Sequence, residues 1–130
     1  MIKKQFTLYI ENRPGALEVA TGALAAAKVS IEGISVAETT DVALVQVVVD
    51  NAAAARKALK RAKLPFAEQD VAVMQIPHRP GSLHAVASQL AKAGVNINYL
   101  YCTAGEHGTA GSTLVISAES LELIEKITIK

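Results

Sequence analysis

The chain repeats itself. Shifted by 66 residues, Asn12-Arg-Pro-Gly-Ala-Leu17 falls on His78-Arg-Pro-Gly-Ser-Leu83. The match continues without a gap, setting Leu24 on Leu90, Ala25 on Ala91, Ala27 on Ala93, Val29 on Val95 and Ile31 on Ile97. A repeat of this period limits the fold to one small unit built twice. The joint falls near Gln69-Asp70, which divides the chain into residues 1–69 and 70–130.

Both copies parse alike. Phe6–Ile10 and Val71–Ile76 read as strands. Pro14 and Pro80 then stand where a helix is expected to open, since proline suits the first helical turn. Leu17, Ala20, Leu24 and Ala27 follow at helical spacing, as do Leu83, Val86, Ala87, Leu90 and Ala91. Gly94 is a typical stop for the second of these helices, and Lys28 stands in its place in the first. Strands are expected at 30–38 and 96–103, and again at 42–50 and 112–118. A helix from about Asn51, a plausible N-cap, to Ala62 follows in the first copy, and a shorter one over 120–126 in the second. Phe66–Gln69 and Ile127–Lys130 remain for the last strands. The expected class is α+β, with two ferredoxin-like βαββαβ units packed side by side and the helices on one face of antiparallel sheets. Units of this size sit near the lower limit of what one core stabilises, so a homodimer is expected.

Composition narrows the function. A formal charge of +1 argues against a dedicated nucleic-acid binder. The single cysteine, Cys102, supplies neither an intramolecular disulfide nor a thiolate zinc site. No stretch is long and apolar enough for a signal peptide or a membrane span, so a cytoplasmic protein without membrane contact is expected. No paired carboxylates or activated nucleophile stand out, so neither catalytic nor metal residues are assigned and no cofactor is expected.

The two turns, with Val29-Ser-Ile31 and Gly94-Val-Asn-Ile97, resemble those of ACT domains, small regulatory modules that bind amino acids. The resemblance spans nearly the whole chain. It implies a free-standing regulatory protein that binds a free amino acid or similar metabolite where ACT units adjoin. The residues it singles out are Asn12, Arg13, Pro14, Gly15, Ala16 and Leu17, with Ser30 and Ile31. In the second copy they are His78, Arg79, Pro80, Gly81, Ser82 and Leu83, with Val95, Asn96, Ile97 and Asn98. A helix N-terminus offers free N–H groups to a carboxylate, and glycine lets a ligand approach the backbone. The resemblance adds backbone contacts from the second strand of an adjoining unit. The preferred geometry is a ligand bridging the first turn and the strand at Asn96. His78 departs from the acidic or amide residue usual at its position.

Other residues carry weaker signals. Arg13 and Arg79 suit bidentate recognition of a carboxylate, or point into solvent. Of Tyr99 and Tyr101, one is expected to pack and the other to wall a pocket. The histidines and Cys102 are read as partly exposed rings and a buried thiol rather than as a metal site. Residues 103–111 read as a flexible hairpin, and the basic run Arg56–Lys63 as a solvated face. Two other readings stay open: a purely structural or protein-interaction module, and an acylphosphatase-like enzyme using Arg79 and Asn98. The regulatory reading requires a partner chain, as yet unidentified, to receive the signal.

Overall fold

The computed structural model describes residues 1–109 and 111–128. Its elements are β1 (Ile2–Glu11), α1 (Ala16–Ala26), β2 (Ile31–Glu38), β3 (Val42–Val49) and α2 (Ala52–Arg61). There follow β4 (Phe66–Ile76), α3 (Ser82–Lys92), β5 (Ile97–Thr103), β6 (Ser112–Ala118) and α4 (Leu121–Glu125). They form two compact units, Lys4–Gln69 and Asp70 onward, the latter joined by Met1–Lys3. The repeat alone places Met1–Lys3 in the first unit. Backbone pairing gives them to the second, where Val73 donates to the Met1 carbonyl at 2.7 Å and accepts from the Met1 ammonium at 2.9 Å.

In the first unit the strand order is β2-β3-β1-β4, with Phe66–Gln69 as the β4 portion. Strand β3 pairs antiparallel with both β1 and β2. Alternate residues Phe6, Leu8 and Ile10 face Ala16, Ala20 and Leu24 of α1 and Ala55 and Leu59 of α2, so both helices cover one sheet face. Near that core Arg56 grips the Glu68 carboxylate with two hydrogen bonds of 2.7 and 2.6 Å, its guanidinium 6.0 Å from the Phe6 ring centre. The bidentate contact holds the Glu68 carboxyl below its usual range and raises Arg56. The second unit has the order β5-β6-β4, again antiparallel, with Val86, Leu90 and Ile124 packed on Ile76, Leu114 and Ile116. Residues 129 and 130, needed for the last strand expected there, lie outside the described residues.

Three helices end by the same device. The N–H of Val29 reaches back to the Leu24 carbonyl, that of Leu64 to Leu59, and that of Val95 to Leu90, at 3.0, 3.1 and 2.9 Å. This six-to-one closure turns the preceding residue left-handed, and Lys28, Lys63 and Gly94 have φ of 59, 57 and 72°. Lys28 thus performs the task of Gly94 despite its Cβ. Replacing it, Lys28→Gly, is expected to stabilise the first unit by about 1 kcal/mol, read as a rise in denaturation midpoint. A fall instead would mean that the lysine side chain outweighs the backbone strain.

Both edge strands carry the same irregularity. The register slips by one residue between Ile31 and Gly33 in β2, and between Ile97 and Tyr99 in β5. Asn98 therefore sits in a bulge. Tyr99 and Tyr101 are both half-buried, alternating with exposed Asn98, Leu100 and Cys102. Residues two apart share a face, so these two do not divide the packing and wall roles expected of them. Burial, with Tyr99 nearby, pushes the Tyr101 phenol well above its usual range.

Candidate ligand site

The Arg-Pro-Gly motif is a reverse turn, and the helix opens after it. The N–H of Ala16 donates to the Arg13 carbonyl, and that of Ser82 to the Arg79 carbonyl, both at 3.3 Å. Gly15 and Gly81 have φ of 86 and 89° with ψ near zero. Proline second and a left-handed glycine third are the marks of a type II turn. The helices therefore begin at Ala16 and Ser82, not at Pro14 and Pro80 as proline's usual place suggests.

Ala16, Ala20 and Leu24 face the first core, and Ser82, Val86 and Leu90 the second. Leu17 and Leu83, which the helical spacing sets in line with these residues, are 39% and 44% exposed beside the turns. The glycines are needed for their backbone conformation rather than for tight packing, because a Cβ added to either would meet open space. The same open space lets a ligand reach the first helical turn. No side chain caps α1 or α3, and the first N–H groups of any helix have no partner within it.

The turns differ in what surrounds them. Beside the first is a hollow of about 250 Å³, walled by Tyr9, Val19, Leu64 and Pro65. Arg13 lines it too, but its Nε is held by the Glu11 carboxylate. Over the second lies a hollow of about 390 Å³ lined by Arg79, Gly81, Ser82, Ala85, Gln89 and Thr128. Ser82 is only 6% exposed, and its hydroxyl is a buried polar atom with no hydrogen-bond partner among the described residues. The matching residue in the first unit is Ala16, which has no hydroxyl to satisfy. The motif marks Ser82 only by its place beside the turn. Tyr9, Val19 and Leu64 carry no signal in the sequence that sets them apart from ordinary strand, helix and connector residues.

The exchange of Asn12 for His78 has a structural cause. Asn12 donates from its amide to Glu38 at 3.2 Å and from its backbone to Asp41 at 3.1 Å, tying down the short β2–β3 connection. His78 ties down the longer β5–β6 connection. Its backbone N–H reaches Thr109 at 2.7 Å, its carbonyl accepts from Gly108 at 2.9 Å, and its ring Nδ1 lies 2.9 Å from the Gly105 carbonyl. The ring also meets His107 edge-on, with centres 5.4 Å apart. The segment expected to be a loose hairpin is pinned at its described residues. Histidine here anchors a loop and need not report on ligand charge.

The strand residues of the expected site lie elsewhere. Ser30 and Ile31 follow the C-terminal end of α1, an eleven-residue helix about 16 Å long. Ser30 exchanges hydrogen bonds with Asp50, 3.0 Å to its side chain and 3.1 Å from its backbone. Val95, Asn96, Ile97 and Asn98 likewise follow the far end of α3. Within a unit, then, the turn and the second-strand residues are separated by a helix length. Among the described residues no three His, Cys, Asp or Glu side chains gather as a metal site, and no helix is long and apolar enough to cross a membrane.

Comparison with known proteins agrees with this architecture. The profile describing an ACT domain pair matches residues 1–128. Among solved structures, protein BT0572 from Bacteroides thetaiotaomicron superposes with a TM-score of 0.86 at 28% identity, over 97% of this chain and 85% of that one. The regulatory subunit of aspartate kinase from Thermus thermophilus, in its ligand-free form, has the same fold. It gives a TM-score of 0.67 at 18% identity, covering 97% and 94% of the two chains. The corresponding subunit from Thermus flavus gives 0.61 at 18%, covering 95% and 87%. No curated protein sequence matches the chain. With the profile matching both copies of the turn, helix and strand pattern, the chain belongs to the family of ACT domain pairs.

Proposed function

We propose that this ACT domain pair is a non-enzymatic sensor that binds a free amino acid, or a similar small carboxylate metabolite, through the turn of its second unit. The observation that supports it is the orphaned hydroxyl of Ser82 beneath the hollow at the start of α3. A buried polar group without a partner costs about 1–3 kcal/mol, and such exceptions call for an explanation. A ligand carboxylate would accept from the hydroxyl and from the first-turn N–H groups, with the positive end of the helix dipole behind them. Arg79 stands at the rim. The first turn has no such hydroxyl, which favours a structural part for that unit. Contacts from second-strand residues would have to come from another ACT unit, because those of the same unit stand at the far end of the helix. Binding would shift the population of packing states, and a separate chain would read that shift.

A thermal-unfolding screen against the standard amino acids tests this. A ligand at a hundred times its Kd adds about 2.7 kcal/mol, which raises the Tm by roughly 5–20 °C for units this small. A rise confined to one amino acid or a few related ones is expected. No rise with any of them would favour an interaction module whose turns bind nothing.

A further inference from the structure

The second helices of the two units carry opposite charge on their outer surfaces. On α2, Lys57, Lys60 and Arg61 are exposed, Lys63 follows, and the helix contains no carboxylate. Its remaining cation, Arg56, is taken by Glu68. Around α4, Glu119, Glu122 and Glu125 are exposed at intervals of three, with Lys126 the neighbouring lysine among the described residues. Glu125 lies 3.7 Å from the N-terminal ammonium, while Glu119 and Glu122 have no ion pair among the described residues. The basic surface also borders an apolar seat. Ala23, Ala26 and Ala27 of α1 and Ala58 and Ala62 of α2 line a hollow of about 210 Å³ with Arg61 at its edge.

We infer that the occupant of this surface is a second copy of the chain, whose α4 lies on α2. Glu119 and Glu122 would meet Lys57, Lys60 and Arg61, and half-buried Leu123 would bring apolar surface toward the alanine hollow. Charge balance favours a second copy over a nucleic acid. The whole chain is nearly neutral, with thirteen cations and twelve carboxylates, so a polyanion drawn to α2 is repelled at α4, whereas another copy offers each surface its complement. A two-fold axis relating the copies would make the contact twice, which matters because single surface ion pairs are weak. The dimer stands independently of the ligand reading above.

Sedimentation of the full chain tests it. The wild type is expected to be a dimer at tens of micromolar in low salt, loosening as salt screens the pairs. The variant K57E/K60E/R61E, with both helices acidic, and the variant E119K/E122K, whose reversals make α4 basic, should each raise the Kd for self-association by about a hundredfold. Mixed in equal amounts they should dimerise again, since each now carries what the other lacks. That recovery also shows that the variants are folded. A monomeric wild type, a dimer indifferent to either reversal, or a mixture that stays monomeric would each overturn the proposal.

Discussion

Leu90→Ala should destabilise the second unit by about 2–5 kcal/mol, whereas Leu83→Ala should cost no more than about 0.5 kcal/mol. Leu90 is buried against Leu114, Ile116 and Ile124 in a unit with few other large core residues. Truncating it removes apolar contact and leaves a cavity that so small a core closes poorly. A whole domain of this size is worth only about 3–10 kcal/mol, so the loss is a large fraction of the second unit's stability. Leu83 lies one helical position after the core-facing Ser82 and is exposed beside the turn. Denaturant unfolding of the two variants checks both the core and the helical frame. Equal losses would mean that Leu83 is packed as Leu90 is and that the burial described here is wrong.

Gly81→Val should cost about 2–3 kcal/mol, through the backbone alone. Gly81 has φ of 89°, and an added Cβ would meet nothing within 4 Å, so the loss cannot come from a clash. A β-branched residue is the least suited to the left-handed region. Gly81→Asn should recover most of the loss, because asparagine tolerates that conformation. Denaturation midpoints for the two variants decide it. If asparagine is as harmful as valine, the glycine serves some purpose other than its φ.

The repeat was visible in the residues because each copy reuses the same periodicity, and strand order follows from that periodicity with little freedom. What misled was the proline. Its usual place at the first helical position makes Pro14 and Pro80 look like helix openings, but the glycine that follows must turn left-handed. That fixes a type II turn and delays each helix by two residues. At these openings Leu17 and Leu83 lie exposed and Ala16 and Ser82 are buried, while Ala20, Leu24, Val86 and Leu90 face the cores as the spacing suggests. The most informative residue was hidden because a serine beside a turn reads as solvated, whereas Ser82 is 6% exposed at the start of α3. His78 was legible as a departure from the pattern but not as a loop anchor. Its role depends on residues 105–109 folding back onto it, contacts that local spacing does not encode.

The most direct test of the sensor reading is calorimetric titration of the standard amino acids into the wild type and Ser82→Ala. The account predicts that one or a few related amino acids bind the wild type. In Ser82→Ala their affinity falls by about tenfold to a hundredfold, the worth of one hydrogen bond to a charged group. The unliganded variant should meanwhile be no less stable than the wild type, because the change removes an unsatisfied hydroxyl. Undiminished affinity in Ser82→Ala, or no binding to the wild type at all, would contradict the account.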